Sequence, residues 1–478
     1  MPDEPMAPQV PQPWSASNRL VARTIVRPLV RFADAEAASG VAMLAMAVVA
    51  MVWANSSAHE SYTELWTSVA TVEVGEVVHL ELTLREWVND LFMAFFFFVV
   101  ALEIKRELVR GELRDPRAAA LPAFAALGGM VVPALVYAAF NAGGPGADGW
   151  GIPMATDIAF AVGVLSLVGR RVPPALVVFL LSLAIVDDLG AIMVIAVFYT
   201  SDLALGWLAV AGGTIVVGYV LKRVDVRSLV PYFLLAAFCW FALHESGVHA
   251  TLAGVAFGLL APSRSFYALE HFRTAAPPLI SRLDQPVASG EDAQADDAAT
   301  LARIAHLAHE TQPPLDRLEH RLMPWTSFLV VPVFALANAG VRVSAGDLVD
   351  AFSEPVTLGV LLGLVVGKTV GVFGFAVIAL RLGFGKMPAG TRMPHLLGVA
   401  MLAGIGFTVA LFVTELAFVE GGPADLAKIG ILAASVVAGL LGFGFLRAVG
   451  ARQAPPEGGG STPEQMPSAA RGAPVGVG

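Results

Sequence analysis

The chain has 478 residues, 56% of them apolar and only 14% charged, with a formal net charge of −9. Soluble domains run closer to half apolar and a quarter charged, so lipid is the indicated solvent, and disorder, a collagen-like chain and a disulfide-stapled fold are excluded. The negative charge, with no basic stripe among aromatics, sets nucleic acid aside, and the single cysteine, Cys239, lies in an apolar run where bulk packing is its expected role.

Twelve stretches are apolar for long enough to cross about 30 Å of hydrocarbon as helices. They lie near 36–55, 85–110, 118–140, 150–169, 174–199, 206–222, 228–243, 247–262, 322–340, 356–381, 395–418 and 424–447. The stretches 228–243 and 247–262 are short and are retained because the charge pattern needs both. The expected class is an all-α polytopic membrane protein, divided into a cytoplasmic leader 1–33, spans one to eight in 34–262, an acidic cytoplasmic insert 263–316, spans nine to twelve in 317–447, and a disordered tail 448–478. Residues 1–18 and 453–478, rich in Pro, Gly, Ala and Ser, bury too little apolar surface to fold. The first span follows a long polar leader and precedes eleven others, so it does not read as a cleaved signal peptide.

Between the first two spans, Val72-Glu73-Val74 and Val77-Val78-His79-Leu80-Glu81-Leu82 alternate around Gly75-Glu76, which predicts a small external β-hairpin. A lone hairpin exposes an unpaired edge, so a homodimer through residues 72–82 is the natural expectation. The insert reads as a solvated linker with a surface helix at Leu301 to His309.

Of the 30 Lys and Arg residues, 26 fall in every second connection; the alternate connections hold Arg85, Arg342 and Lys428, and Lys368 lies inside a span. Positive charge marks the cytoplasmic side, so both termini are predicted to be cytoplasmic.

Ionisable groups in mid-span carry the chemistry. Asp187 and Asp188 lie in span five, Asp157 follows Thr156 in span four, and Lys368 lies in span ten. Each costs roughly 3 kcal/mol to insert, so a purely structural role has much to explain. Pairing Lys368 with one aspartate covers part of that cost and leaves at least two carboxylates without a basic partner. A buried carboxylate becomes neutral by taking a proton or by coordinating a small hard cation, and the two exclude each other. Opened alternately to the two sides, such a site exchanges cations for protons.

Gly151 and Pro153 interrupt span four, and Gly404-Ile405-Gly406 interrupts span eleven. Each is the middle member of a triplet, spans three to five and ten to twelve, and the charge pattern makes these triplets inverted repeats. Two broken helices at matching positions mark a midplane binding site. Their exposed ends carry partial charges that Asp157 and Lys368 are placed to neutralise at opposite poles.

At these residues the sequence resembles the NhaA family of Na+/H+ antiporters, a family from which the inverted-repeat rule is itself partly drawn. The resemblance is carried by Leu102 to Leu108, Ala155 to Ala161, Ala184 to Ile192, Ser246 to Gly254, Asn338 to Val341 and Gly404 to Thr408, and covers about residues 34 to 447. It implies exchange of Na+ or Li+ for H+ across a bacterial cytoplasmic membrane, with roles in pH and sodium homeostasis and no cofactor. It implies that Asp187 and Asp188 bind the cation and protons, Asp188 more directly; that Asp157 and Thr156 belong to the helix crossing; and that Lys368 pairs with Asp187. It further implies a pH response through Glu103, Glu107, Glu319 and His249. The long insert, entering close to Glu319, departs from compact relatives.

Three rival classes fit less well. An intramembrane aspartyl protease lacks its Tyr-Asp pair and has its only Gly-Asp, Gly346-Asp347, in a loop. A sodium-coupled organic-anion symporter of similar fold would need more positive groups than Lys368. A cation channel gives no reason for a base beside the acids.

Overall fold

The computed structural model describes residues 38–75, 78–169, 172–200, 203–283, 291–343, 349–418 and 421–451. Glu76 of the expected turn, and the segments 1–18 and 453–478 expected to be disordered, lie outside these residues. In hydrocarbon every backbone N–H and C=O needs an internal partner, and runs of Ala, Val, Leu and Ile satisfy that as helices. In chain order these are α1 (Ala38–Ala54), α2 (His59–Thr67), α3 (Leu84–Arg110), α4 (Pro116–Asn141), α5 (Ile158–Val168), α6 (Pro174–Phe198), α7 (Leu205–Arg223), α8 (Leu229–Glu245), α9 (Leu252–Leu260), α10 (Leu269–Leu283), α11 (Glu291–Thr311), α12 (Pro314–Asn338), α13 (Pro355–Arg381), α14 (Met393–Leu402), α15 (Phe407–Ala417) and α16 (Pro423–Ala451). Proline opens several of them, where its missing N–H costs nothing, and Asp115 caps α4 by accepting from Arg117 N at 3.0 Å. The last helix runs four residues past the 447 limit expected from the sequence.

Eight helices among the described residues are long and apolar enough to cross a membrane, or ten if each of two bent pairs counts as one span. The sequence reading of twelve is therefore reached only by adding shorter helices. The stretch 228–243 is the 17-residue α8, and 247–262 shortens to the nine-residue α9. Gly247, at φ 77°, breaks the helical path between them. The bent pairs are α1 with α2, at 114°, and α14 with α15, at 46°.

The hairpin forms as strands β1 (Val69–Val74) and β2 (Val78–Thr83), antiparallel, with Val69 opposite Thr83 and Val74 opposite Val78. Gly75 supplies the left-handed turn at φ 61°. Its base is fastened to α3: Trp87 Nε1 donates to the Ala70 carbonyl at 3.0 Å, and Thr83 and Glu86 form a reciprocal cap at the helix start.

The insert differs from the expected linker. α10 places Phe272, Ala276, Leu279 and Leu283 at helical spacing and packs on α11, so apolar periodicity within an acidic composition gives it a face to bury. The Glu310 carbonyl accepts from Phe266 N and Tyr267 N at 3.0 and 3.2 Å. Arg110 of α3 pairs with Asp316 at 2.7 Å, closing the base of the insert onto the bundle.

With lipid as solvent, helices associate through close packing of small residues. One such reciprocal contact joins α4 to α13, where a Cβ on Gly128 would collide with the Gly371 carbonyl oxygen and one on Gly371 with that of Gly128. Gly374, on the same helix, faces open space. Gly371→Ala is accordingly expected to destabilise the fold by about 1–3 kcal/mol, whereas Gly374→Ala should be neutral or stabilising by up to about 1 kcal/mol. Thermal unfolding of the purified protein in detergent compares them; equal melting of the two variants would dismiss the close approach as the organising contact.

Candidate functional site

Two interruptions in the helices meet inside the bundle. Residues 155–157 separate a 3-10 segment, Ala147–Met154, from α5, and residues 403–406 separate α14 from α15. The unwound backbones satisfy each other: Asp157 N donates to the Ile405 carbonyl at 2.7 Å, and Thr156 Oγ1 to the Ala403 carbonyl at 2.9 Å. Free N–H groups at the two helix starts turn toward one side chain. Asp157 Oδ1 accepts from Phe160 N at 3.0 Å, and Oδ2 accepts from Thr408 N at 3.1 Å and Thr408 Oγ1 at 2.5 Å. One carboxylate therefore caps α5 and α15 together, where both partial dipole charges are positive.

Asp187 and Asp188 lie midway along α6, both at 2% exposure or less. α13 reaches them just after a π-turn at Gly363–Gly367, a local widening of the helix often found at functional positions. Fully buried Lys368 follows that turn and donates from Nζ to Asp187 Oδ2 at 2.5 Å. That is its ion pair; the C-terminal carbonyls of the broken helices, the pole expected for it from the sequence, take no hydrogen bond from it among the described residues. The other oxygen, Asp187 Oδ1, and Asp188 Oδ1 are buried with no hydrogen-bond partner among the described residues. The Thr156 side chain lies against the Asp187 carboxyl, while the charges of Asp187, Glu103, Asp157 and, in the opposite sense, Lys368 act on Asp188. Asp187, Asp188, Asp157, Thr156 and Lys368 thus gather around the crossing. Among the described residues no three His, Cys, Asp or Glu side chains converge as a resident metal centre.

The residues expected to respond to pH separate into two places. At the Arg-rich end of α3, Arg106 gathers Glu103 at 3.7 Å, Glu107 at 3.4 Å and Glu319 of α12 in direct contact. Beside this cluster a cavity of about 470 Å³, lined by Glu107, Arg110, Ser182 and Ile185 among others, descends along α6. His249 is elsewhere. Its ring meets Phe412 edge-to-face at 6.0 Å and lines a second cavity, of about 690 Å³, with Asp90 and Glu415. Asp90 and Arg110 stand about 30 Å apart along α3 at 1.5 Å per residue, so the two cavities enter from opposite ends of the bundle.

Three contributors carry more than their sequence context indicates. Arg106, which the sequence marks as a sidedness charge and an interfacial neighbour of these acids, is the hub of three carboxylates. Thr408 appears only within a glycine motif, although its hydroxyl and N–H both serve Asp157. Glu415 pairs at 2.7 Å with Lys428, both nearly buried. A carboxylate in the apolar run Phe412 to Phe418 was legible by the rule that found Asp187, whereas Lys428 was assigned to a connection and lies within α16.

Comparison with known proteins supplies the lineage. Residues 30–446 match the profile of the family described as Na+/H+ antiporter 1. The chain is 46% identical over 429 residues to a protein named Na+/H+ antiporter NhaA from Oleidesulfovibrio alaskensis, covering 88% of this chain and 94% of that one. It is 44% identical over 453 residues to the protein of the same name from Syntrophobacter fumaroxidans, covering 92% and 94%. The namesake from Wolinella succinogenes is 45% identical over 423 residues, covering 87% and 92%. With a profile match across most of its length and relatives aligned over nine-tenths of theirs, the chain belongs to the Na+/H+ antiporter 1 family.

Proposed function

We propose that this protein exchanges Na+ or Li+ for H+ across a bacterial cytoplasmic membrane, cation and proton competing for Asp187 and Asp188. The observation that carries this reading is the pair of buried carboxylate oxygens, Asp187 Oδ1 and Asp188 Oδ1, left without partners beside the crossing of two broken helices. A buried acceptor that no protein donor satisfies costs about 1–3 kcal/mol, and more for a charged group. A proton satisfies it, and so does a small oxygen-seeking cation. Asp188 has no basic partner within hydrogen-bonding distance and is the direct ligand; Asp187 shares its charge with Lys368.

In this reading alternating access is a rearrangement of the two helix halves about Asp157. That carboxylate neutralises both N-termini and keeps the unwound backbone satisfied while the halves move. The twelve-crossing topology takes α1, α8, α9 and the pair α14–α15 as spans with the eight long helices, spans three to five and ten to twelve forming inverted repeats. Both termini and the Arg106 cluster are then cytoplasmic, and the cavity beside Glu107 is the inward entrance. Glu103, Glu107 and Glu319 regulate that entrance around Arg106, and His249 acts from the outer cavity. The activity serves pH and sodium homeostasis, and two copies pair through the hairpin.

Sodium-induced collapse of a pH gradient in everted vesicles tests the exchange. Asp188→Asn should abolish it, lowering the rate by at least about 100-fold while leaving the protein folded. Because protons occupy the site at acidic pH and leave as pH rises, sodium binding should strengthen with pH and release protons. Calorimetry in buffers of different ionisation enthalpy measures that release, and binding without release at every pH would sink the competition.

Lys368→Ala strands the Asp187 charge and should cost about 3–5 kcal/mol of stability, part of which Asp187→Asn with Lys368→Gln should restore. Strict additivity in a thermal double-mutant cycle would mean that the two side chains are not coupled. Deleting residues 72–82 should yield monomers that still exchange, since the hairpin is remote from the carboxylates. Light scattering reads the outcome, and an undiminished dimer refutes the hairpin as the main contact.

A further inference from the structure

Ser182 is 97% buried, lines the cavity beside Glu107, and has no hydrogen-bond partner for its hydroxyl among the described residues. That is unusual for a hydroxyl inside an apolar helix, which ordinarily bonds back to a carbonyl one turn earlier. Three other buried hydroxyls of this bundle do so, Thr214 to Ala211 at 2.6 Å, Thr326 to Leu322 at 3.2 Å and Thr414 to Ala410 at 2.9 Å, whereas buried Thr251, like Ser182, makes no such bond among the described residues, and of the two only Ser182 lines a cavity. In α6 the Val178 carbonyl stands at the same offset from Ser182 and takes no such bond. A hydroxyl with no bond of its own, on a cavity wall, is available to whatever enters that cavity.

The position fits a route to the carboxylates. Val178, Leu181, Ser182 and Ile185 form the cavity-lining face of α6. Asp188 continues this face one turn deeper, seven residues beyond Leu181 and so within about 20° of its direction, whereas Asp187 turns about 100° away from Asp188. Ser182 lies about 9 Å before Asp188 along the helix axis at 1.5 Å per residue. On the facing helix α3, Glu107 stands at the mouth and Glu103 one turn deeper, close enough for its charge to act on Asp188. A small monovalent cation must shed most of its water before two carboxylate oxygens can hold it, and a hydroxyl oxygen replaces one of those waters without adding charge.

We propose that Ser182 is a coordinating step for the entering cation, a partly hydrated Na+ or Li+, between the cavity mouth and Asp188. The assignment rests on the exchange reading above and gives one additional residue a role in selecting the ion on one face only. Removing the hydroxyl weakens capture from that face, leaving the turnover of the loaded site and capture from the other face as they were.

The test measures exchange against Na+ and Li+ concentration with the full-length protein in vesicles of both orientations, everted and right-side-out. Ser182→Ala should raise the KM for cation offered at the cavity face roughly three- to tenfold. Maximal rate should stay within about twofold of wild type, and the KM from the opposite face should be unchanged. Ser182→Thr, which keeps the hydroxyl, should restore the KM. An unchanged KM in Ser182→Ala, an equal rise from both faces, or a Ser182→Thr protein as impaired as Ser182→Ala overturns the role. Wild-type protein that exchanges, with Asp188→Asn inactive, while Ser182→Ala behaves as wild type, removes Ser182 and leaves the exchange reading standing. Wild-type protein without sodium-driven exchange removes both.

Discussion

A charge carried into the low-dielectric middle of a membrane bundle has to be compensated, and the centre of this protein is arranged by that demand. The compensation takes three forms within one cluster. Lys368 and Asp187 neutralise each other directly at 2.5 Å. Asp157 is compensated by the partial positive charge and free N–H groups of two helix starts. Asp188 has no hydrogen-bonded base and caps no helix start; it feels Lys368 only through its charge, and its Oδ1 stays unpaired among the described residues.

The broken helices follow from the same constraint. An interrupted helix inside a membrane leaves backbone groups unpaired, which is tolerable only where other protein groups take them up. Here each interruption is the partner of the other, through the Asp157 N to Ile405 carbonyl bond and the Thr156 hydroxyl to Ala403 carbonyl bond. Ser435 on α16 accepts from Phe407 N at 3.3 Å, completing the start of α15. The irregular backbone is thus held in place by hydrogen bonds between the two interruptions and from α16.

Around that centre, the two cavities are unlike. One runs beside the Arg106 cluster toward Ile185, a turn short of Asp188. The other, at the far end of α3, gathers His249, Asp90 and Glu415 under the base of the hairpin. The docked insert ends at Asp316, three residues before Glu319, and Arg110 grips it from the rim of the first cavity. The segment that most distinguishes this chain's composition is therefore fastened to the same helix that carries Glu103 and Glu107.

Composition and periodicity alone determined that the chain is a helical membrane bundle. They also singled out Asp187, Asp188, Asp157 and Lys368, because an ionisable residue in an apolar run is conspicuous whatever it touches. The hairpin was equally legible, since alternation on both sides of a glycine is a local property. What only the tertiary structure decided concerns pairing between distant segments: that Asp157 serves two helix starts, that Arg106 is a hub, and that His249 lies far from Glu319; the pairing of Lys368 with Asp187, which the residue types alone left open between two aspartates, was implied by the family resemblance. Glu415 went unnoticed and Lys428 was placed in a connection because each is compensated by the other across a turn, and the insert was read as a linker because amphipathic spacing in a polar segment acquires meaning only once a second helix covers it. Hydrophobicity is written residue by residue along the chain, whereas the partner of a buried charge is a matter of distance, which folding alone sets.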